Sequence, residues 1–312
     1  MGNLGHHCTG CGGSCQGVKV RLVDEDTANR IRHYGAQLGV ADPVDDGRLR
    51  QTEDGQCAFL DDRNACQIHR RFGAAAKPRI CRQYPLVLLR TESGVRTGID
   101  PGCYSAFVTR NSPDRAVDET ALWSESHYDS PTLRMESALS ALLTHPKRRI
   151  DQSLRSLAGL PGEGLPTGFE ERLIARLADP SIAMACRHPS AGPSVRSGLE
   201  TLVDALPRWL EEGPPGDVLP SERETWGLEV AHRMVWLRLC PRMPSPMVAA
   251  LTSLCGTYVA HWTDLEGGAP FAHTLAAWSR AMRSPAFWGR LFPDPKALST
   301  LLRGEASPPS PN

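Results

Sequence analysis

Seven cysteines lie in the first third of the chain: Cys8, Cys11, Cys15, Cys57, Cys66, Cys81 and Cys103. Three more, Cys186, Cys240 and Cys255, are scattered beyond. The first three have the spacing Cys-x2-Cys-x3-Cys, which lets neighbouring thiolates converge on one metal centre. Zinc takes four ligands in a tetrahedron, with sulfur at about 2.3 Å. A four-iron cluster also takes four thiolates, each on a different iron. The order is the reverse of the Cys-x3-Cys-x2-Cys of radical S-adenosylmethionine enzymes, so the cysteines do not support that assignment. The remaining four are separated by eight, fourteen and twenty-one residues, which fits no standard zinc finger. One such cysteine alone reads as a small buried hydrophobe. Seven within 103 residues, set beside Gly, Pro or charged loops and outside any apolar stripe, read as ligands.

The alternative use of many cysteines is a disulfide framework, which needs an oxidising compartment. The N-terminal MGNLGHHCTGCGG has no basic, apolar and cleavage pattern of a secretory leader, and His6 stands where a myristoylation signal wants Ser or Thr. No run approaches the roughly 18 apolar residues of a membrane span. The expectation is a cytoplasmic protein with no membrane partner, in which clustered cysteines bind metal. His6, His7 and His69 are the local histidines that could complete a site. Seven thiolates exceed one zinc site, which favours iron–sulfur, although a cluster plus a zinc completed by a histidine also satisfies the count.

Between Arg63 and Arg90 there are seven basic residues and no acidic one: Arg63, Arg70, Arg71, Lys77, Arg79, Arg82 and Arg90. Cations near thiols favour the thiolate that ligates metal. They also offset the charge of a thiolate-bound cluster or attract an anionic partner. The whole chain is neutral, with 35 basic and 35 acidic residues among 312, so it is not a globally basic nucleic-acid binder. No nucleic-acid-binding module is recognisable, and a nucleic-acid partner is not expected.

The residues Cys8, Cys11 and Cys15, then Cys57-Ala58-Phe59-Leu60, Cys66-Gln67-Ile68 and Cys81-Arg82-Gln83-Tyr84-Pro85, resemble the YkgJ-type cysteine-cluster family, described as chelating zinc or iron. The resemblance covers roughly the first 105 residues. The same arrangement resembles the cysteine region of flagellin lysine N-methylases. There a small basic strand follows the first cluster, as Val18 to Leu22 does here, and a further cysteine follows the Tyr-Pro segment, as Cys103 does here. The family often ends its first cluster with two adjacent cysteines, whereas this chain has Cys15-Gln16. The resemblance implies a 4Fe-4S cluster or zinc on the seven cysteines. It also implies an S-adenosylmethionine-dependent enzyme acting on a protein or peptide, with Arg79, Arg82 and Tyr84 meeting the cofactor. A structural-zinc interaction module is the non-enzymatic alternative.

The elements that must position these residues are short. Asp24 to Leu38 predicts a helix capped by Asp24 or Asp26 and ended by Gly39. Val18 to Leu22, Arg48 to Thr52 and Gln56 to Leu60 read as short strands. Leu86 to Arg90 and Val95 to Ile99, joined by Thr91-Glu92-Ser93-Gly94, predict a hairpin. From about residue 118 apolar residues recur at helical spacing, broken by Pro and Gly clusters, which predicts seven to nine helices. Cys240, Cys255 and the tryptophans there read as core, and Glu222, Glu224 and Glu229 as solvated faces. There is no phosphate-binding Gly-rich loop, dinucleotide fingerprint or zincin motif. The expected fold is mainly α: an irregular, metal-organised domain with short β-strands over 1–112, an all-α domain over 118–303, and a disordered tail over 304–312.

Overall fold

A computed structural model describes residues 5–9, 11–17, 20–22, 24–109, 111–113, 121–188, 192–216, 218–292 and 295–304. Val18, Lys19 and all of the expected tail except Gly304 lie outside the described residues. The fold is mainly α, with two small sheets near the N-terminus. No described helix is long and apolar enough to cross a membrane. The chain divides into two compact units, Met1–Glu125 with His188–Arg196, and Ser126–Arg187 with Ser197–Asn312.

In the first unit, α1 spans Glu25–Leu38. The Asp24 carboxylate accepts from Thr27 N at 2.6 Å, and the helix ends at Gly39, as the capping residues predict. Ala28 and Ile31 on its inner face join Leu22, Leu49, Phe59 and Ile68 in one apolar cluster. Strands β1 (Val44–Asp45) and β2 (Arg48–Leu49) pair antiparallel around Asp46-Gly47. The strands expected over Arg48–Thr52 and Gln56–Leu60 shrink to β2 and the single bridges Gln51↔Cys57, Gln16↔Gln56 and Leu60↔Cys66. Two turns end the ladder, since Gly55 N donates to Thr52 O and Leu60 N donates to Cys57 O, both at 2.9 Å. Of the expected basic strand, Arg21 makes one bridge, to Arg48, and Leu22 N donates to Gly47 O.

Two short helices that the sequence pattern did not announce follow, α2 (Gln67–Phe72) and α3 (Arg79–Gln83). The predicted hairpin forms as β3 (Leu86–Thr91) and β4 (Gly94–Ile99), one residue longer on each arm. Helix α4 is a single turn, Ser105–Val108, and β5 (Ser124–Glu125) adds in parallel to β3. Leu86, Leu88, Ile99, Cys103 and Ala106 form the second apolar cluster of this unit.

Among the described residues ten further helices follow: α5 (Ser130–Leu143), α6 (Ile150–Ala158), α7 (Phe169–Leu177), α8 (Pro180–Arg187), α9 (Pro193–Glu212), α10 (Ser221–Trp236), α11 (Pro246–Leu265), α12 (Phe271–Ala281), α13 (Pro285–Leu291) and α14 (Pro295–Arg303). The number exceeds the expectation because α8, α13 and α14 are short and each opens on a proline, which suits the first helical position. Helix α11 is buried along nearly its whole length and forms the centre of the second unit. Trp209, Trp262 and Trp278 are fully buried, and Trp278 Nε1 donates to Thr252 O at 2.8 Å, so the indole hydrogen-bonds within the core. Cys186, Cys240 and Cys255 are buried there as small core residues. Glu224 departs from the expected solvated face: it is buried and lies 3.6 Å from Arg149.

Candidate metal centre

All seven N-terminal cysteines line one cavity of about 670 Å³ in the first unit. Each reaches it by a different local device. Cys15 ends a 3-10 turn, Gly13–Cys15, whose first hydrogen bond runs from Cys15 N to Gly12 O at 2.8 Å. Gly12 has φ 64°, and a Cβ there would lie 2.0 Å from Asn64 O, so this close approach requires glycine. Ser194 Oγ donates to Gly13 O at 2.9 Å, and Ser194 N donates to the Gln16 side chain at 2.7 Å. The second cysteine segment is tied directly to the first: Cys57 N donates to Cys15 O at 3.1 Å.

Cys66 caps α2. It is set there by a loop closed on Asp61, whose carboxylate accepts from Arg63 N at 3.0 Å and Ala65 N at 2.9 Å and pairs with Arg70. These bonds hold the Asp61 carboxyl below its ordinary value, the Ala65 N–H contributing most. Cys81 projects from α3, and Cys57, Cys66 and Cys81 all pack against the apolar cluster that α1 covers.

The outer cysteines are held from the other side. Thr9 Oγ1 and Ser105 Oγ lie 2.7 Å apart, and Cys11 Sγ lies 3.8 Å from the same hydroxyl. His6 Nδ1 bonds Thr109 Oγ1 at 3.1 Å, and His7 Nδ1 bonds Ser112 Oγ at 2.8 Å. These contacts bring the Cys8–Cys11 loop to α4, immediately after the buried Cys103. Both terminal histidines thus hold the loop through their Nδ1 atoms, a role the sequence did not suggest, and His69 lines the cavity with them.

Burial pushes the Cys15 and Cys81 thiols up to about 12 and the Cys57 thiol up to about 11. Other thiols push in the same direction, and the Lys77 ammonium opposes all three shifts. Among the described residues no three Cys, His, Asp or Glu side chains already converge as metal ligands. The thiols therefore face a shared space with no common point of convergence.

The donor set nevertheless fits a thiophilic metal. The cavity lining combines seven sulfurs with imidazoles and the cations Arg50, Lys77 and Arg82, and no aspartate or glutamate among the described residues is part of it. Such donors select zinc or iron–sulfur over magnesium or calcium, which need carboxylate and carbonyl oxygens. Of the residues expected to meet a cofactor, Arg82 and Tyr84 line this cavity, while Arg79 lines an adjoining one. Lys77, Ser105 and Ser194 are the site residues that spacing could not identify. Only Lys77 carried a signal, as a member of the basic segment.

Residues 7–104, which span all seven cysteines, match the CxxCxxCC family model, described as a zinc- or iron-chelating domain. No curated protein and no solved structure matches the chain. The likeness to flagellin lysine N-methylases therefore stands on the cysteine motifs alone.

Proposed function

We propose that this zinc- or iron-chelating domain holds a 4Fe-4S cluster on Cys15, Cys57, Cys66 and Cys81. Cys8, Cys11 and Cys103 then form a second thiol group on the same cavity. The observation that carries the reading is the cavity that all seven sulfurs line, with Cys57, Cys66 and Cys81 packed on one apolar cluster and Cys57 N bonded to Cys15 O at 3.1 Å. Four thiolates match the requirement of one cluster, and the space and sulfur count exceed what a single tetrahedral zinc uses. Arg50, Lys77 and Arg82 offset the negative charge that four thiolates bring. When bound, such a cluster would supply electron transfer.

The test is anaerobic preparation followed by iron, sulfide and zinc analysis together with visible absorption. About four irons and four sulfides per chain are expected. One zinc and no sulfide would replace the iron reading with a structural-zinc module. A folded, metal-free protein would remove both.

A second reading adds an S-adenosylmethionine-dependent modification of a protein or peptide at the same centre. Its support is Arg82 and Tyr84 on the cavity wall, where a guanidinium suits a cofactor carboxylate. Incubation with methyl-labelled S-adenosylmethionine and peptide libraries tests it; neither binding nor transfer would end it.

A further inference from the structure

Beside the cysteine cavity, and sharing Lys77 and Arg82 with it, lies a second cavity of about 570 Å³. Four cations line it, Arg30, Lys77, Arg79 and Arg82, against the two carboxylates Asp24 and Asp26. Asp24 is already committed to capping α1, where its carboxylate accepts from Thr27 N at 2.6 Å and from Thr27 Oγ1 at 3.0 Å. Arg30 is steadied by the bond from Nη2 to Thr27 Oγ1 at 3.1 Å. Arg79, with Arg30, also acts on the Asp24 carboxylate, and the Lys77 ammonium acts on the neighbouring thiols. Thr27, Ala75, Ala76 and the rings of Tyr34 and Phe72 complete the wall, and the two rings stack with centroids 4.5 Å apart.

We propose that this cavity binds a small phosphomonoester. The dianionic phosphoryl group is held between Lys77 and Arg79, and the apolar body of the ligand lies against Tyr34 and Phe72. The charge balance calls for a dianion, and the charge-assisted bonds that a guanidinium and an ammonium give to phosphoryl oxygens are the strong ones. The aromatic pair is what separates an organic phosphate from the inorganic ion. The cavity is lined by none of the seven cysteines, and it shares Lys77 and Arg82 with theirs. Because Lys77 belongs to both walls, a bound dianion also sits within the field of the thiol cavity.

Titration calorimetry of the full chain as isolated, with inorganic phosphate, phenyl phosphate and succinate, tests the proposal. One phenyl phosphate per chain is expected, bound more tightly than inorganic phosphate, with succinate weaker than both. Arg79→Gln is expected to weaken both phosphates about tenfold or more, the loss of one charge-assisted contact. Arg71→Gln, which removes an exposed cation of the same basic segment outside the cavity, is expected to leave them unchanged. Phe72→Leu is expected to erase the preference for phenyl phosphate while inorganic phosphate still binds. Equal losses from Arg71→Gln and Arg79→Gln, or no saturable binding of either phosphate, would overturn the proposal. Metal content measured on every variant separates loss of this site from loss of the cysteine centre.

Discussion

The backbone N–H of Cys57 donates to the carbonyl of Cys15 at 3.1 Å, which joins the first cysteine cluster to the second through the main chain. Replacing either thiol leaves that backbone bond intact, so a cysteine-to-serine change there removes a ligand without dismantling the loop. Single changes Cys15→Ser, Cys57→Ser, Cys66→Ser and Cys81→Ser are each expected to abolish stoichiometric metal. Cys255→Ser should keep it, and is expected instead to cost about 1–3 kcal/mol in urea unfolding, because a hydroxyl enters a fully buried apolar site. Metal analysis of the five purified variants checks both halves. Retention of full metal by any of the four N-terminal variants removes that cysteine from the ligand set.

Lys77 gives this centre a pH dependence of definite sign. Burial and neighbouring thiols raise Cys15, Cys57 and Cys81 above the ordinary thiol value of 9.0. The metal-free fold therefore prefers neutral thiols, and its stability is present below that value. It is expected to fall as pH rises from 9 toward the native values of about 11 to 12. Metal loading runs the other way. It needs thiolates, releases protons, and should strengthen as pH rises. Lys77→Met removes the cation that favours the thiolates, so its metal-binding curve is expected to shift to higher pH. Zinc titrations with a chelator buffer at several pH values measure the shift, and an unmoved curve would show that Lys77 does not act on the thiols.

How much of this was legible in the sequence depends on the scale of the interaction. The Asp24 cap, the Gly39 stop and the β3–β4 hairpin are set by neighbours in the chain, and all were readable. The seven cysteines that the spacing singled out line one cavity. Local pattern failed where tertiary contacts shape short segments. Helices α2 and α3, of six and five residues, carry no periodic stripe long enough to detect. The Arg48–Thr52 and Gln56–Leu60 segments alternate like strands but are cut by turns at Gly55 and Leu60. Ser194 is far from the cysteines in sequence and met Gly13 only in the folded structure. Glu224 looked solvated because its acidic neighbours are, and Arg149 comes from another helix cap.

Gly12 is the position where the first cluster is most exposed to steric damage. A Cβ there would meet Asn64 O at 2.0 Å and would also need a left-handed backbone. Gly12→Ala is expected to destabilise the first unit by roughly 1–3 kcal/mol, the range for a side chain forced into such a conformation. Because Cys11 and Cys15 flank this turn, it should also release metal faster. Thermal unfolding and the rate of metal transfer to a chelator are the measurements. A variant with unchanged values in both would mean that the Gly12–Asn64 contact relaxes freely.

Asp61 closes the loop that leads into Cys66 and supplies the acid limit of the site. Its carboxylate accepts from Arg63 N and Ala65 N and pairs with Arg70, which holds it below the ordinary value of 3.8. The sign follows from that depression: its stabilising contribution is present above the ordinary value and is lost as pH falls through the lower native one. Asp61→Asn keeps an acceptor for the two N–H groups but loses the charge facing Arg70, whereas Asp61→Ala loses both. Metal retention is therefore expected to rank wild type, then Asp61→Asn, then Asp61→Ala, with Cys66 the first ligand freed. Thiol labelling followed by peptide mapping reads which cysteine becomes reactive as metal leaves. Labelling that starts at Cys8 or Cys11 in Asp61→Ala, with Cys66 still protected, would show that the loop does not hold Cys66.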